Sequence, residues 1–175
     1  MAGVNIEEDL RIYPILAELR ECLRIALGDG APCFVGILVG DDIPSEYVGD
    51  CEDDGEPSCG AAYVRVTGAY PTDRFPEPVQ YPTCNMAMAY NISVGILRCT
   101  SVGEEDGGPI YPPELEQVTL RSLSDMKAIR YAIQCCFQNA FPKVKTLMGT
   151  FTPLPSEGGV VGGEWPITVR EDLDV

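Results

Sequence analysis

Within the fourteen residues 86–99 the chain alternates between large apolar side chains and small or polar ones from Met86 to Ile96, and no other stretch limits the fold as much. Met86, Met88, Tyr90, Ile92, Val94 and Ile96 share one parity, while Ala87, Ala89, Asn91, Ser93 and Gly95 share the other. Successive side chains of a strand point to opposite faces, so this pattern predicts a β-strand with one face in a core. The second face, small and polar, is expected to meet water or a neighbouring subunit. A usual strand has about five or six residues, so this one is expected to run past the core it helps to form.

A sheet with one apolar face needs a second layer, and two amphipathic helices are available to supply it. The first is predicted over 13–27, where Ile12, Ile15, Leu16, Leu19, Leu23, Ala26 and Leu27 recur at helical spacing, with Pro14 in the first turn and Gly28 as a stop. The second begins at Glu114 and runs to about Phe137. Its expected buried stripe is Leu115, Val118, Met126, Ile129, Ile133, Cys136 and Phe137, interrupted by Ser122. Pro113 can start this helix, and Glu114 and Glu116 favour the positive end of its dipole.

The apolar run 33–39, bounded by Pro32 and Gly40, reads as a central strand. A second strand over 61–67 places Tyr63, Arg65 and Thr67 on one face and Val64 and Val66 on the other. Pro71, Pro76, Pro78 and Pro82 then predict a long loop without regular structure. The tail reads as a C-terminal hairpin over 145–170, with strands at 145–151 and 164–170 and a Pro- and Gly-rich connection between them. The resulting order α-β-β-β-α-β-β predicts the α+β class. It is an antiparallel or mixed sheet packed by two main helices on one face, with long loops, in one domain over 1–175.

Charge narrows the function classes. Twelve basic residues stand against 27 acidic ones, a net −15, which argues against nucleic acid or anionic membrane as the main partner. The longest apolar run is too short to span a bilayer. The acidic start, 1–11, is no signal peptide, so synthesis and folding in a cytoplasm are expected. The acids concentrate at 40–60, where Asp41, Asp42, Glu46, Asp50, Glu52, Asp53, Asp54 and Glu56 have no basic residue among them. Like charges this dense resist packing and predict a solvated acidic loop, with contact to a basic partner as the other reading. Its 50–55 portion matches the first half of a calcium loop, but Ala61 stands where the bidentate Glu belongs.

No catalytic residue, cofactor site or metal site is expected. The sequence has no His, so a Ser or Cys nucleophile lacks its usual base. Carboxylate pairs arise by chance in so acidic a loop. The glycines of 158–163 lack the Gly-Lys-Ser/Thr ending of a phosphate cradle and precede a strand, not a helix. Eight cysteines form no C-x-x-C pair, and Cys22 and Cys136 fall on apolar helix faces, where a thiol behaves as a small hydrophobe. Unlinked thiols are therefore expected, with Cys51–Cys59 the first pair to test for a bridge because it would close a short acidic loop. Trp165 alternates with Ile167 and Val169 onto one face. Either it anchors the hairpin to the core, or it joins Phe151, Leu154, Val160 and Val161 in a contact with another subunit, the tail tube or the connector.

Three segments taken together resemble a known family. They are Cys59-Gly-Ala-Ala-Tyr-Val-Arg65, Leu97-Arg-Cys99, and Pro153-Leu-Pro155 through Gly158-Gly-Val-Val-Gly-Gly-Glu-Trp165. In this order, with a long helix before the last, they are similar to neck proteins of siphophages that infect actinobacteria, over roughly 59–169. Within the neck, the order of elements is similar to the tail terminators. That resemblance implies a virion protein whose copies form a ring, a hexamer in that family, at the top of the tail. Such a ring caps the tail tube, ends its polymerisation and joins the head-side connector. The implied partners are copies of itself, the major tail tube protein and the head-side stopper or connector. DNA would pass through the lumen without specific binding, which a carboxylate-lined channel would favour. Another neck component, a stopper or adaptor, is the first alternative; a cytosolic enzyme or small-ligand-binding protein is the second.

Overall fold

Helix α1 (Ile12–Leu27) buries Ile12, Ile15, Leu16, Leu19, Cys22 and Leu23, the stripe its periodicity predicts, and ends at Gly28, whose φ of 54° suits a residue without a Cβ. A computed structural model describes residues 11–42, 59–84, 86–100, 112–157 and 159–171. After α1 come β1 (Phe34–Val39), β2 (Gly60–Thr72) and β3 (Ala87–Cys99). Helix α2 (Pro112–Tyr131) continues without a break into a π-helical stretch (Ala132–Phe137) and a last α-helical turn (Gln138–Ala140). The chain closes with β4 (Thr146–Met148), β5 (Thr152–Glu157) and β6 (Val160–Arg170).

The sheet order is β1-β2-β3-β6-β4, with β5 following β4 along the same edge of β6. β1 runs parallel to β2 and every other pair is antiparallel, so the sheet is mixed and the class is α+β. Ala62, Val64, Ile92, Val94, Ile96, Ile167 and Val169 form one core with α1 and with Ile129, Ala132, Ile133 and Phe137 of the second helix. Both helices therefore cover the same face of the sheet.

Several expectations change. Among the described residues the sheet has six strands, because 152–163 is not a connection. Residues 152–157 pair with β6, which begins at Val160 directly after Gly159, whose φ is 79°. Among the described residues β1 pairs with β2 alone and lies at an edge, not at the centre, since apolar content does not say how many neighbours a strand has. Pro71 lies inside β2, opposite Met88, beyond the last residue that β1 pairs with. The second face of β3 is not left to water: Ala87, Ala89, Ser93, Gly95 and Leu97 are buried, and Asn91 alone of the alternating set is exposed. Leu115, expected in the buried stripe of the second helix, is exposed as well.

The cysteines depart furthest from expectation. Cys22 of α1 is bonded to Cys136 in the π-helical stretch, with Cα atoms 5.6 Å apart. Cys59 is bonded to Cys99 across the β2–β3 pair, with Cα atoms 5.4 Å apart. Cys33 is disulfide-bonded too, while Cys84 and Cys135 are free and exposed. A Cys59–Cys51 bridge is thereby excluded; Cys51 itself lies outside the described residues. The helix faces that were to bury Cys22 and Cys136 separately are packed against each other, which brings the two sulfurs together.

Candidate functional site

The three segments that carry the family resemblance fall on β2, β3 and the β5–β6 pair, of which β2, β3 and β6 are neighbours in the sheet. In register, Tyr63 lies opposite Gly95, and Gly95 lies opposite Glu164. Gly95 has no side chain, so the Tyr63 ring lies over it; a Cβ at that position would collide with the ring. The hydroxyl can then reach across the strand and donate to Glu164 Oε2 at 3.0 Å. Arg65, two residues on, donates from Nη2 to the same carboxylate oxygen at 2.8 Å. Its Nη1 donates to the carbonyls of Gly40 and Asp41, where the chain leaves β1. The guanidinium also lies 5.8 Å from the centre of the Tyr63 ring, within cation–π range.

This cluster is buried, with Tyr63 0% and Arg65 4% exposed. Burial, reinforced by the adjacent Glu164 carboxylate, holds the Tyr63 hydroxyl well above its ordinary pKa. The Cys59–Cys99 bridge closes the end of the same three-strand frame, beside Gly60, whose φ of 154° and close approach to the Leu97 carbonyl leave no room for a side chain.

Two further charged pairs tie the layers together. Arg98 of β3 grips Asp125 of α2 with a fork, Nε to Oδ2 at 3.0 Å and Nη2 to Oδ1 at 2.8 Å. Its Nη1 is buried without a hydrogen-bond partner. Beside it lies a cleft of about 380 Å³ lined by residues that include Thr100, Gln117, Arg121, Ser122 and Val161. At the other end of the sheet, Glu171 accepts from the Met88 backbone N–H at 3.3 Å and from the Tyr90 hydroxyl at 3.2 Å, with Arg11 3.8 Å away.

These groups hold strands and helix together; their charges are matched inside the chain. Glu18, Cys22 and Cys136 bring three potential metal-ligand atoms within 4.8 Å of one another. The two sulfurs are bonded to each other, however, and offer no thiolate.

The expected contact residues share the C-terminal hairpin, and of them Phe151 and Trp165 pack against the domain's own core. The Phe151 and Trp165 rings lie 5.5 Å apart, Trp165 Nε1 donates to the Gly149 carbonyl at 2.7 Å, and the Phe151 ring covers Gly163. Leu154 faces Gly162 across the β5–β6 pair, and Leu154, Val160 and Val161 are all half-buried. Of the acidic set, Asp41 and Asp42 are exposed at the end of β1, and the Asp41 carbonyl is an acceptor for buried Arg65. Glu46, Asp50, Glu52, Asp53, Asp54 and Glu56 lie outside the described residues.

Sequence reasoning missed the pairing of Arg65 with Glu164 and of Arg98 with Asp125, and the burial of Glu171. One signal was present for Asp125: it shares the helical phase of Ile129, one turn later. A carboxylate on a buried stripe calls for a cation opposite it. No protein-family model and no curated protein matches this chain. Among the described residues, no helix is long and apolar enough to cross a membrane.

Proposed function

We propose that this chain is a non-enzymatic structural protein of a tailed-phage virion, of tail-terminator type. Its copies form a ring at the head–tail junction, cap the tail tube, end tube growth and meet the head-side connector. The observation that carries this reading is the placement of the resembling segments. Their Cys59 and Cys99 are joined by a disulfide, and their Arg65 on β2 and Glu164 on β6 by a buried ion pair that spans β3. Residues spread over about a hundred positions of sequence thus act as one mechanical frame, as a load-carrying ring subunit requires. The net −15 is compatible with a lumen that repels DNA phosphates instead of gripping them.

The test is electron microscopy of the purified protein with tail tubes, together with particles made without the protein. Capped tube ends, and overlong tubes in its absence, are expected. Tubes of normal length with no protein at their ends would overturn the terminator role. Attachment at the head side with unchanged tail length would identify a stopper or adaptor instead.

A further inference from the structure

The outer face of α2 carries a pattern that its own domain does not use. Leu120 and Leu123 are 60% and 51% exposed, Tyr131 is 54% exposed, and Pro112, Glu116 and Lys127 are exposed with them. At 3.6 residues per turn these six positions form one stripe. It lies roughly opposite Asp125 and Ile129, the two residues by which α2 is buried in the domain. Leucines on the open side of a helix that is otherwise polar mark a contact surface.

The stripe reads the same from both ends. Glu116, Leu120, Leu123 and Lys127 are spaced four, three and four residues apart, with an acid at one end and a base at the other. When two such helices run antiparallel about a two-fold axis, Glu116 of one faces Lys127 of the other. Leu120 then faces Leu123, and Pro112 faces Tyr131. A parallel pair would instead set like charges together. The alternating four–three spacing is also that of a helix–helix seam. We infer that α2 is a self-association surface whose partner is the α2 of a second copy of this chain, antiparallel and related by two-fold symmetry.

The rest of the fold prepares the helix for this role. Asp125 is gripped by Arg98, and the C-terminal continuation of α2 is bonded to α1 through Cys136. The stripe is therefore presented on a clamped helix and loses little conformational freedom on pairing. An isologous contact closes at two copies, so a ring would need a separate head-to-tail surface. The inference stands apart from the phage reading for that reason.

Light scattering and sedimentation of the purified full-length protein across a concentration series test it, with thermal melts confirming that each variant is folded. The wild-type protein is expected to dimerise reversibly, and Leu120→Asp to be monomeric. Glu116→Lys and Lys127→Glu each set like charges together at both ends of the seam and should weaken dimerisation about tenfold. Glu116→Lys combined with Lys127→Glu restores both pairs and should recover most of the loss. Wild-type monomer at every concentration overturns the inference. So does association that survives Leu120→Asp, or a combined charge swap no tighter than the single variants.

Discussion

Arg65 is a cation with almost no access to water, held by the Glu164 carboxylate and by two backbone carbonyls. Removing one partner strands the other in a low-dielectric site, so Arg65→Ala or Glu164→Ala should cost about 3–5 kcal/mol in urea unfolding. Replacing both with Met should cost clearly less than either single change, because no lone charge remains and Arg65 Nε is already without a hydrogen-bond partner. Tyr63 gives a pH signature. Its pKa is raised in the fold, so unfolded chains lose the phenolic proton first as pH climbs past about 10. Stability is then complete below that pH and should fall above it by about 1.4 kcal/mol per pH unit, a slope that Tyr63→Phe should remove. Urea melts at a series of alkaline pH values read this directly. Equal slopes in the two proteins would show that the hydroxyl is not shifted.

The two helices and β3 were legible because amphipathic periodicity is written into consecutive residues. β5 was not, and its prolines explain why. Pro153 and Pro155 argue against a strand with neighbours on both sides, yet β5 lies outermost on β6, the position in a sheet where proline is tolerated. Pro166 of β6 falls where β5 has ended and β4 has not begun, between the partners of Glu164 and Ile167. Whether β1 was central or at an edge was equally beyond the sequence, since half-buried and fully buried runs share the same apolar residues.

The disulfides are element-scale clips. Cys22–Cys136 closes a span of 114 residues and Cys59–Cys99 a span of 40. Chain-entropy arguments assign them about 5 and about 4 kcal/mol, so Cys22→Ala with Cys136→Ala should lower the urea midpoint more than Cys59→Ala with Cys99→Ala. The opposite ranking would mean that strain or residual structure outweighs loop length.

For the whole molecule, charge sets the terms of association. Each subunit carries a net −15, and two subunits repel over a distance of about 30 Å at 0.01 M salt but only about 8 Å at 0.15 M. The two Glu116–Lys127 pairs of the inferred seam are exposed and worth only about 0.3–0.5 kcal/mol each. Relief of the overall repulsion should outweigh their screening, so sedimentation equilibrium should show tighter association at 0.15 M than at 0.01 M salt. A steady loosening with salt would mean that local pairs dominate.

Read alone, the sequence determined the α+β class, the two helices, the core face of the long strand and the lack of a histidine-based reactive centre. All of these follow from residue type and from patterns a few positions long. Packing decided the rest: the strand order, the partners of Cys22 and Cys59, and the meeting of Arg65 with Glu164 across 99 residues of chain. A local pattern tells a side chain which way to face. Only the assembled layers bring groups that distant within 3 Å of each other, as the 2.8 Å Arg65–Glu164 contact shows.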